Sequence, residues 1–301
     1  MRNRQATENR RASPALGAHG RQGGTMVRRV VVDSSANLFV AGTQDIVSVP
    51  MKVRVGEREF PDDANLDVGE LIEAFSDEAA ESSTSCPNIA EWTSAFAGAD
   101  EIVALALTSK ISGGFNSAQA AAKRYLFDHP EAKVFVLDSL TTGPELELLA
   151  QHANELAQSD MDFDDLTHDL RRYASRTHLM FSLERIDNFV RNGRVSPIVA
   201  KVAGVLGVRI VGQASEEGEL GVLNKARGEK RALKQLFENM ETVGFVGGRV
   251  RIRHTENPKM AEALAAKIHE IWPSCDIRIG ANRGLCSYYC EPGGVLVGFE
   301  G

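Results

Sequence analysis

Residues 101–139 read EIVALALTSKISGGFNSAQAAAKRYLFDHPEAKVFVLDS, and this stretch decides the fold class. Ile102–Leu107 is the most apolar run in the chain. It is too short for a buried helix and bears no alternation, so Glu101–Thr108 reads as a strand covered on both faces. The polar turn Thr108–Ser112 and two glycines follow, then a helix-forming segment, Phe115–Phe127, and a second strand-like run, Lys133–Asp138. Strand, helix and strand in that order predict a parallel pair with a crossover helix, the unit of an α/β sheet.

The same alternation continues on both sides. Val27–Asp33 and Ile46–Val55 read as strands, the latter ending at a turn on Gly56. Asp67–Glu81 has helical spacing through Val68, Leu71, Ile72 and Phe75, and Pro87–Ala97 and Pro144–Gln158 read as further helices. From about residue 160 the texture changes. Helices are expected at Phe163–Ser175, Leu183–Arg191 and Ile198–Leu206, then a hairpin of Gly207–Gly212 and Glu219–Leu223 around Glu216-Glu217-Gly218. Helices at Gly228–Thr242 and Pro258–Trp272 and strands at Arg249–His254, Asp276–Gly280 and Gly294–Phe299 complete the chain. The expected architecture is α/β: a Rossmann-like parallel-sheet domain over 26–160 and a second, α+β domain over 161–301.

Composition narrows the function classes. Apolar residues make up 43% and charged residues 25% of 301, ordinary for a globular protein. No stretch approaches the roughly 20 apolar residues of a membrane span, so stable membrane insertion is not expected. Net charge is −7, and Met1–Thr25 carries five Arg against one Glu, which leaves −11 on the remainder. An acidic body argues against nucleic-acid binding, which needs clustered Lys and Arg. The Arg-, Gly- and Ala-rich segment 1–25 has no apolar period and no signal-peptide core, and is expected to be disordered, with Met26 an alternative start. Cys86, Cys275, Cys286 and Cys290 form no CxxC pair, and the seven histidines have no zinc spacing, so reduced thiols, no metal and no catalytic His are expected. His152 and His168 read as solvent-facing helix residues.

Chemistry is concentrated where strands end. Ligands of open parallel sheets settle at the carboxyl ends of strands. Here those ends are hydroxyl-rich: Asp33-Ser34-Ser35, Thr108 to Gly114, and Asp138-Ser139 with Thr141 and Thr142. A fourth cluster, Ser82 to Pro87, precedes a helix, with Pro87 suited to the first helical position and Ser85 or Cys86 to the cap. Ser112 stands at the entry of the Phe115 helix. Hydroxyls and free N–H groups at two helix starts can hold one carboxylate or phosphate without Lys or Arg. Plain capping, worth about 1 kcal/mol each, is the alternative. Nucleophile-elbow, Walker and dinucleotide motifs are missing.

At these turns the chain resembles the DegV family. Asp33-Ser34-Ser35-Ala36-Asn37-Leu38 is similar to its "DSTADL" opening, and Thr84-Ser85-Cys86-Pro87 to "TSQP". Ser109 to Ala118 is similar to "SSKLSGTYNSA", and Asp138 to Gly143 to the "DSxxAS-G" turn. Asn192 to Ser196 resembles "GGRVS", Lys225 to Gly228 "KVRG", and Pro292 to Phe299 "GPGALGLGF". Seven markers stand in the family's order over residues 30–299.

The resemblance implies a cytoplasmic bacterial lipid carrier and not an enzyme. It implies one long-chain fatty acid bound between the two domains, no cofactor, and presentation of the acid to a fatty acid kinase. The carboxylate-holding residues carry over as Thr84 and Ser112, with Ser85, Gly113, Asn116 and Tyr289 in support and Arg194 and Arg227 near the mouth or a partner. Two departures stand out. Tyr289 replaces the family's usual His, and Glu291, before the closing Pro, would repel an anionic head. The rival reading is a phosphoryl-transfer or hydrolytic enzyme acting on a phosphorylated small molecule, with Asp33 and Asp138 holding a divalent cation. Capping of loops by the same two residues is the simpler account of them. A third reading, a protein-interaction module with an incidental cavity, predicts an empty pocket.

Overall fold

The computed structural model of the chain describes residues 26–38, 46–77, 80–200 and 207–301. The expected disordered tail and residues 201–206 of the expected Ile198–Leu206 helix lie outside the described residues. Strands β1 (Arg28–Asp33), β2 (Ile46–Val49), β6 (Glu101–Ala106) and β7 (Lys133–Asp138) form a wholly parallel sheet in the order β2-β1-β6-β7. All six residues of β6 are buried, as its unbroken apolar run requires. Successive strand residues face opposite ways. Val31, Ile102 and Ala104 therefore pack under α2 (Ile89–Phe96) and α3 (Gly114–Asp128). Val30, Val32, Val103 and Leu105 pack under α4 (Gly143–Ala157) and α5 (Phe163–Ala174). Through Phe163, Leu166, Leu170 and Tyr173 the helical layer of this sheet runs past residue 160. On α4, His152 is half-buried: it hydrogen-bonds Asp169 at 2.8 Å and stacks on Tyr173, so it does not face solvent freely, whereas His168 is exposed.

Two local expectations are corrected beside this sheet. Ile46–Val55 is two strands, β2 and β3 (Lys52–Val55), divided at Pro50. Proline offers no N–H to continue a ladder. β3 turns on Gly56 into β4 (Arg58–Pro61), and a small antiparallel sheet forms in the order β4-β3-β5, with α1 (Val68–Ser76) against it. Its third strand, β5 (Ser82–Ser85), occupies the cluster expected to cap a helix. Thr84 pairs with Val53. The true cap of α2 is Asn88, in a reciprocal box with Glu91, so Pro87 lies outside the helix. Backbone pairing with β3 satisfies Ser82–Ser85 more fully than a single cap bond can.

The second large sheet has six strands in the order β10-β9-β8-β13-β11-β12. Strand β8 (Thr177–Leu183) went unread in the sequence because helices flank it. The following helix, α6, spans only Asp187–Arg191. After α7 (Pro197–Ala200), β9 (Val208–Ala214) and β10 (Leu220–Arg227) form the expected hairpin. Then follow α8 (Glu229–Thr242), β11 (Arg249–His254), α9 (Pro258–Ile271), β12 (Asp276–Ala281), α10 (Gly284–Cys290) and β13 (Val295–Glu300). Met180, Val250, Ile252, Val295, Val297 and Phe299 share the face covered by α8 and α9. The alternate residues of β8 and β13, including Leu179, Phe181, Leu183 and Leu296, face the other way.

Helix α4 lies between the two large sheets and is buried around nearly its whole circumference from Gly143 to Ala150. Leu146, Leu149, Ala150 and Ala153 pack on the parallel sheet. On the opposite side Gly298 of β13 admits the first turn, because a Cβ there would meet the Pro144 carbonyl and the Glu145 amide. Further along, acceptors on α4 match arginines on β11. Glu147 binds Arg253 (2.8 Å to Nε), Gln151 binds Arg251 (3.0 Å) and Glu155 binds Arg249 (2.8 Å). Four helical residues rise about 6 Å and two strand residues about 6.6 Å, so the two spacings stay in step over three contacts.

Candidate functional site

A cavity of about 280 Å³ opens where the carboxyl ends of β6 and β7 meet the pocket-facing side of the second sheet. That volume is at the lower edge of small-molecule sites, roughly 300–1,000 Å³. One wall carries Leu107, Ile111 and Met51; the other carries Leu179, Phe181, Leu183 and Leu296. Helix α10 contributes Leu285, Cys286, Tyr289 and Cys290. The hairpin tip between β9 and β10 reaches across from the second sheet. Thr108 Oγ1 donates to the Gly218 carbonyl at 2.9 Å, and Gly218, at φ +85°, lies too close to Thr108 and Leu140 for any side chain.

The polar part of the wall is built of hydroxyls. Thr84 and Tyr289 join their hydroxyls at 2.7 Å, and two residues earlier Ser82 does the same with Tyr288, also at 2.7 Å. Alternate residues of β5 are thus fastened to adjacent tyrosines of α10. The Tyr289 ring packs against Phe189 and edge-on to Tyr288. Burial, its largest influence, raises its phenol above the ordinary tyrosine value, against the opposing effects of Thr84 and Arg194. The phenol therefore remains a donor. Ser112 lines the same cavity at the start of α3, where its Oγ accepts from the Gly114 amide at 3.1 Å. Cys86 brings the two segments side by side: its Sγ lies within van der Waals reach of the Cβ position of Gly113.

Of the remaining candidates, Ser85, Gly113 and Arg194 line the cavity. Asn116 is exposed on α3 and does not line it. Arg227 is also off the wall. It pairs with Val208 at the end of β10 remote from Leu220, seven residues or roughly 20 Å along the strand from the part that lines the cavity. Glu291 does not confront the head region as expected. Its carboxylate accepts from the Asn188 amide (2.9 Å) at the start of α6, near Arg185, and burial pushes its pKa up to about 7. Asp33 is fully buried and accepts from Ser35 and the Leu107 amide, and Asp138 accepts from the Ser109 amide. Both carboxylates hold loops, as capping predicts. Among the described residues no group of three or more His, Cys, Asp and Glu is placed to hold a metal ion. Among them, too, no helix is long and apolar enough to cross a membrane. All four cysteines are free, and Cys286 and Cys290 lie on the helix α10.

Sequence reasoning missed the β8 wall and the hairpin tip. The alternation Leu179, Phe181, Leu183 was legible at period two. Nothing local announces that Gly218 reaches Thr108.

Residues 28–300 match the family model described as "Uncharacterised protein, DegV family". A DegV domain-containing protein of Streptococcus pneumoniae is 37% identical over 279 residues, covering 91% of this chain and 99% of the relative. The crystal structure of the Streptococcus pneumoniae Fatty Acid Kinase (Fak) B3 protein loaded with linoleic acid superposes with a TM-score of 0.88 at 37% identity, covering 91% of this chain and 99% of that one. A DegV family protein from Eubacterium eligens loaded with heptadecanoic acid gives 0.87 at 35% identity, with the same coverage.

Proposed function

The chain belongs to the DegV family, and from that premise we propose that it binds one long-chain fatty acid in the cavity between its two large sheets. The carboxylate is assigned to Thr84 and Ser112, with Tyr289, Ser85 and Gly113 beside them and Arg194 at the mouth. In this reading the protein is a cytoplasmic carrier without catalytic residues of its own, its ligand lying between a domain of residues 26–160 and one of 161–301. The carrier presents the acid to a fatty acid kinase. The Fak B3 relative supports that partner.

One observation carries the reading: an apolar cavity lined by the hydroxyls of Thr84, Tyr289 and Ser112, the first two hydrogen-bonded to each other. Burying a chain of about 16 carbons at ~0.8 kcal/mol per methylene gives on the order of 12 kcal/mol gross. Lost translation and chain freedom return several of these. The tail supplies the affinity and the hydroxyls fix which end points outward.

Native mass spectrometry of the protein as purified tests the assignment. A mass excess equal to one long-chain acid, lost on denaturation, is expected. A phosphorylated metabolite in its place would return the enzyme reading, and protein that stays empty when offered fatty acid would end the carrier reading.

A further inference from the structure

Strand register separates the two ends of the cavity. After Leu183 the chain leaves β8 for α6, whose Phe189 packs on Tyr289 beside Thr84. The hydroxyls therefore lie beyond the carboxyl end of β8. Toward its other end Met180 pairs with Gln213, which sets Leu179 beside Ala214, the last residue of β9. Leu183 and Leu179 both line the cavity, four residues or roughly 13 Å apart along the strand. That span takes about ten carbons of an extended chain, whose bonds of about 1.5 Å each advance it about 1.25 Å. An acyl chain held at Thr84 and Ser112 thus points its methyl end at Ala214.

The side chains of β9 on this face are Ile210, none at Gly212, and the single methyl of Ala214. The Phe181 ring takes the space over Gly212, where a Cβ would lie 2.6 Å from it. Ala214 itself lines the cavity, as does its cross-strand partner Leu220, whereas Ile210 and Gly212 do not. Directly behind Ala214 the chain turns. The Gly218 amide donates to the Ser215 carbonyl and the Ser215 amide to the Glu219 carbonyl, both at 2.8 Å. The bond from Thr108 to the Gly218 carbonyl fastens this turn to the opposite wall. Gly218 also lies against the Leu140 backbone, whose Cα would be 3.0 Å from a Cβ there. The cavity is closed at this end.

This inference rests on the fatty-acid reading above and concerns the end of the ligand remote from its carboxylate. We propose that the tip of the β9–β10 hairpin is the stop for the methyl end: Ala214 and Leu220, backed by the turn latched to Thr108, set the longest acyl chain that the cavity accepts.

The test uses the full chain stripped of lipid, with saturated acids from dodecanoic to eicosanoic competing against a fluorescent fatty acid. Wild-type affinity is expected to rise about fourfold per added methylene up to a limiting length, and to level off or fall beyond it. Ala214→Leu fills the end of the channel and should move that limit about two carbons shorter. Acids at the wild-type limit then lose roughly tenfold, while dodecanoic acid binds as before. Leu220→Ala enlarges the end and Thr108→Val releases the turn, so both should move the limit to longer acids. A merely destabilising change would lower all lengths alike. A limit unmoved in Ala214→Leu and Leu220→Ala, a uniform loss across the series, or a wild-type series without a limit overturns the proposal and leaves fatty-acid binding intact. Failure of every acid to bind overturns the carrier reading and this one with it. If circular dichroism finds Ala214→Leu unfolded, Leu220→Ala, a truncation at a half-buried position of the edge strand β10, decides the matter alone.

Discussion

Thr84 and Ser112 reach the same cavity by different routes, one from a strand and one from the start of a helix. Hydrogen bonds to a charged acceptor contribute about 1.5–3 kcal/mol each. The double variant Thr84→Val, Ser112→Ala is therefore expected to lower fatty-acid affinity by roughly a hundredfold to ten-thousandfold, measured by displacement of a fluorescent acid. It should remain folded, because Thr84 keeps its backbone pairing with Val53 and the loss of the Ser112 bond to Gly114 costs only about 1 kcal/mol. Unchanged affinity would remove both residues from the head group. Ser112 was legible in the sequence through its glycines and the helix that follows. Thr84 carries over from the resemblance alone; the local reading put the cap at Ser85 or Cys86, and the Thr84 hydroxyl is held by a tyrosine 205 residues away.

At the level of elements, the match between α4 and β11 fixes the two sheets against each other. Glu147 is almost fully buried and leans on Arg253, with Arg251 a more distant 4.0 Å. Removing one partner from a buried ion pair typically costs about 3–5 kcal/mol, because the other charge is stranded. Arg253→Met should lower the urea unfolding free energy by about that much, and adding Glu147→Leu should restore most of it. A double variant no more stable than the single one would argue that the contact is not what joins the sheets. The helix α4 itself was readable from its spacing, as were α5, α8 and α9. Strand β8 has a period-two signal in Leu179, Phe181 and Leu183 but was overlooked because its seven residues fall between two helical signals, and β5 was not readable, because a run of Ser and Thr suits a cap or a strand edge equally until β3 is present to pair with it.

For the whole molecule, the buried acids tie stability to pH. Glu145, on α4 between the sheets, accepts from Thr141 Oγ1 at 2.5 Å and Thr177 Oγ1 at 2.9 Å, and burial outweighs both bonds and pushes its pKa from 4.5 up to about 7. A carboxyl whose pKa is higher folded than unfolded binds its proton more tightly in the native state. Its contribution is complete below pH 4.5 and is lost as pH rises through about 7. The stability of the wild type relative to Glu145→Gln should thus fall across that window, by about 1.4 kcal/mol for each unit of pKa difference, read from urea melts at each pH. A difference that rises with pH would mean Glu145 is ionised in the native state. Asp62 and Glu291, raised to about 6 and 7 by burial, act in the same direction. The amino-acid sequence by itself determined the parallel sheet, the helices with clear period, and the hydroxyl-rich strand ends, because each depends on neighbours within a few residues. The tertiary structure alone decided that Thr84 meets Tyr289, that β8 and the Gly218 turn close the cavity, and that Arg227 and Asn116 stand outside it. Those contacts join residues far apart in the chain, and long-range packing leaves no local periodicity to read.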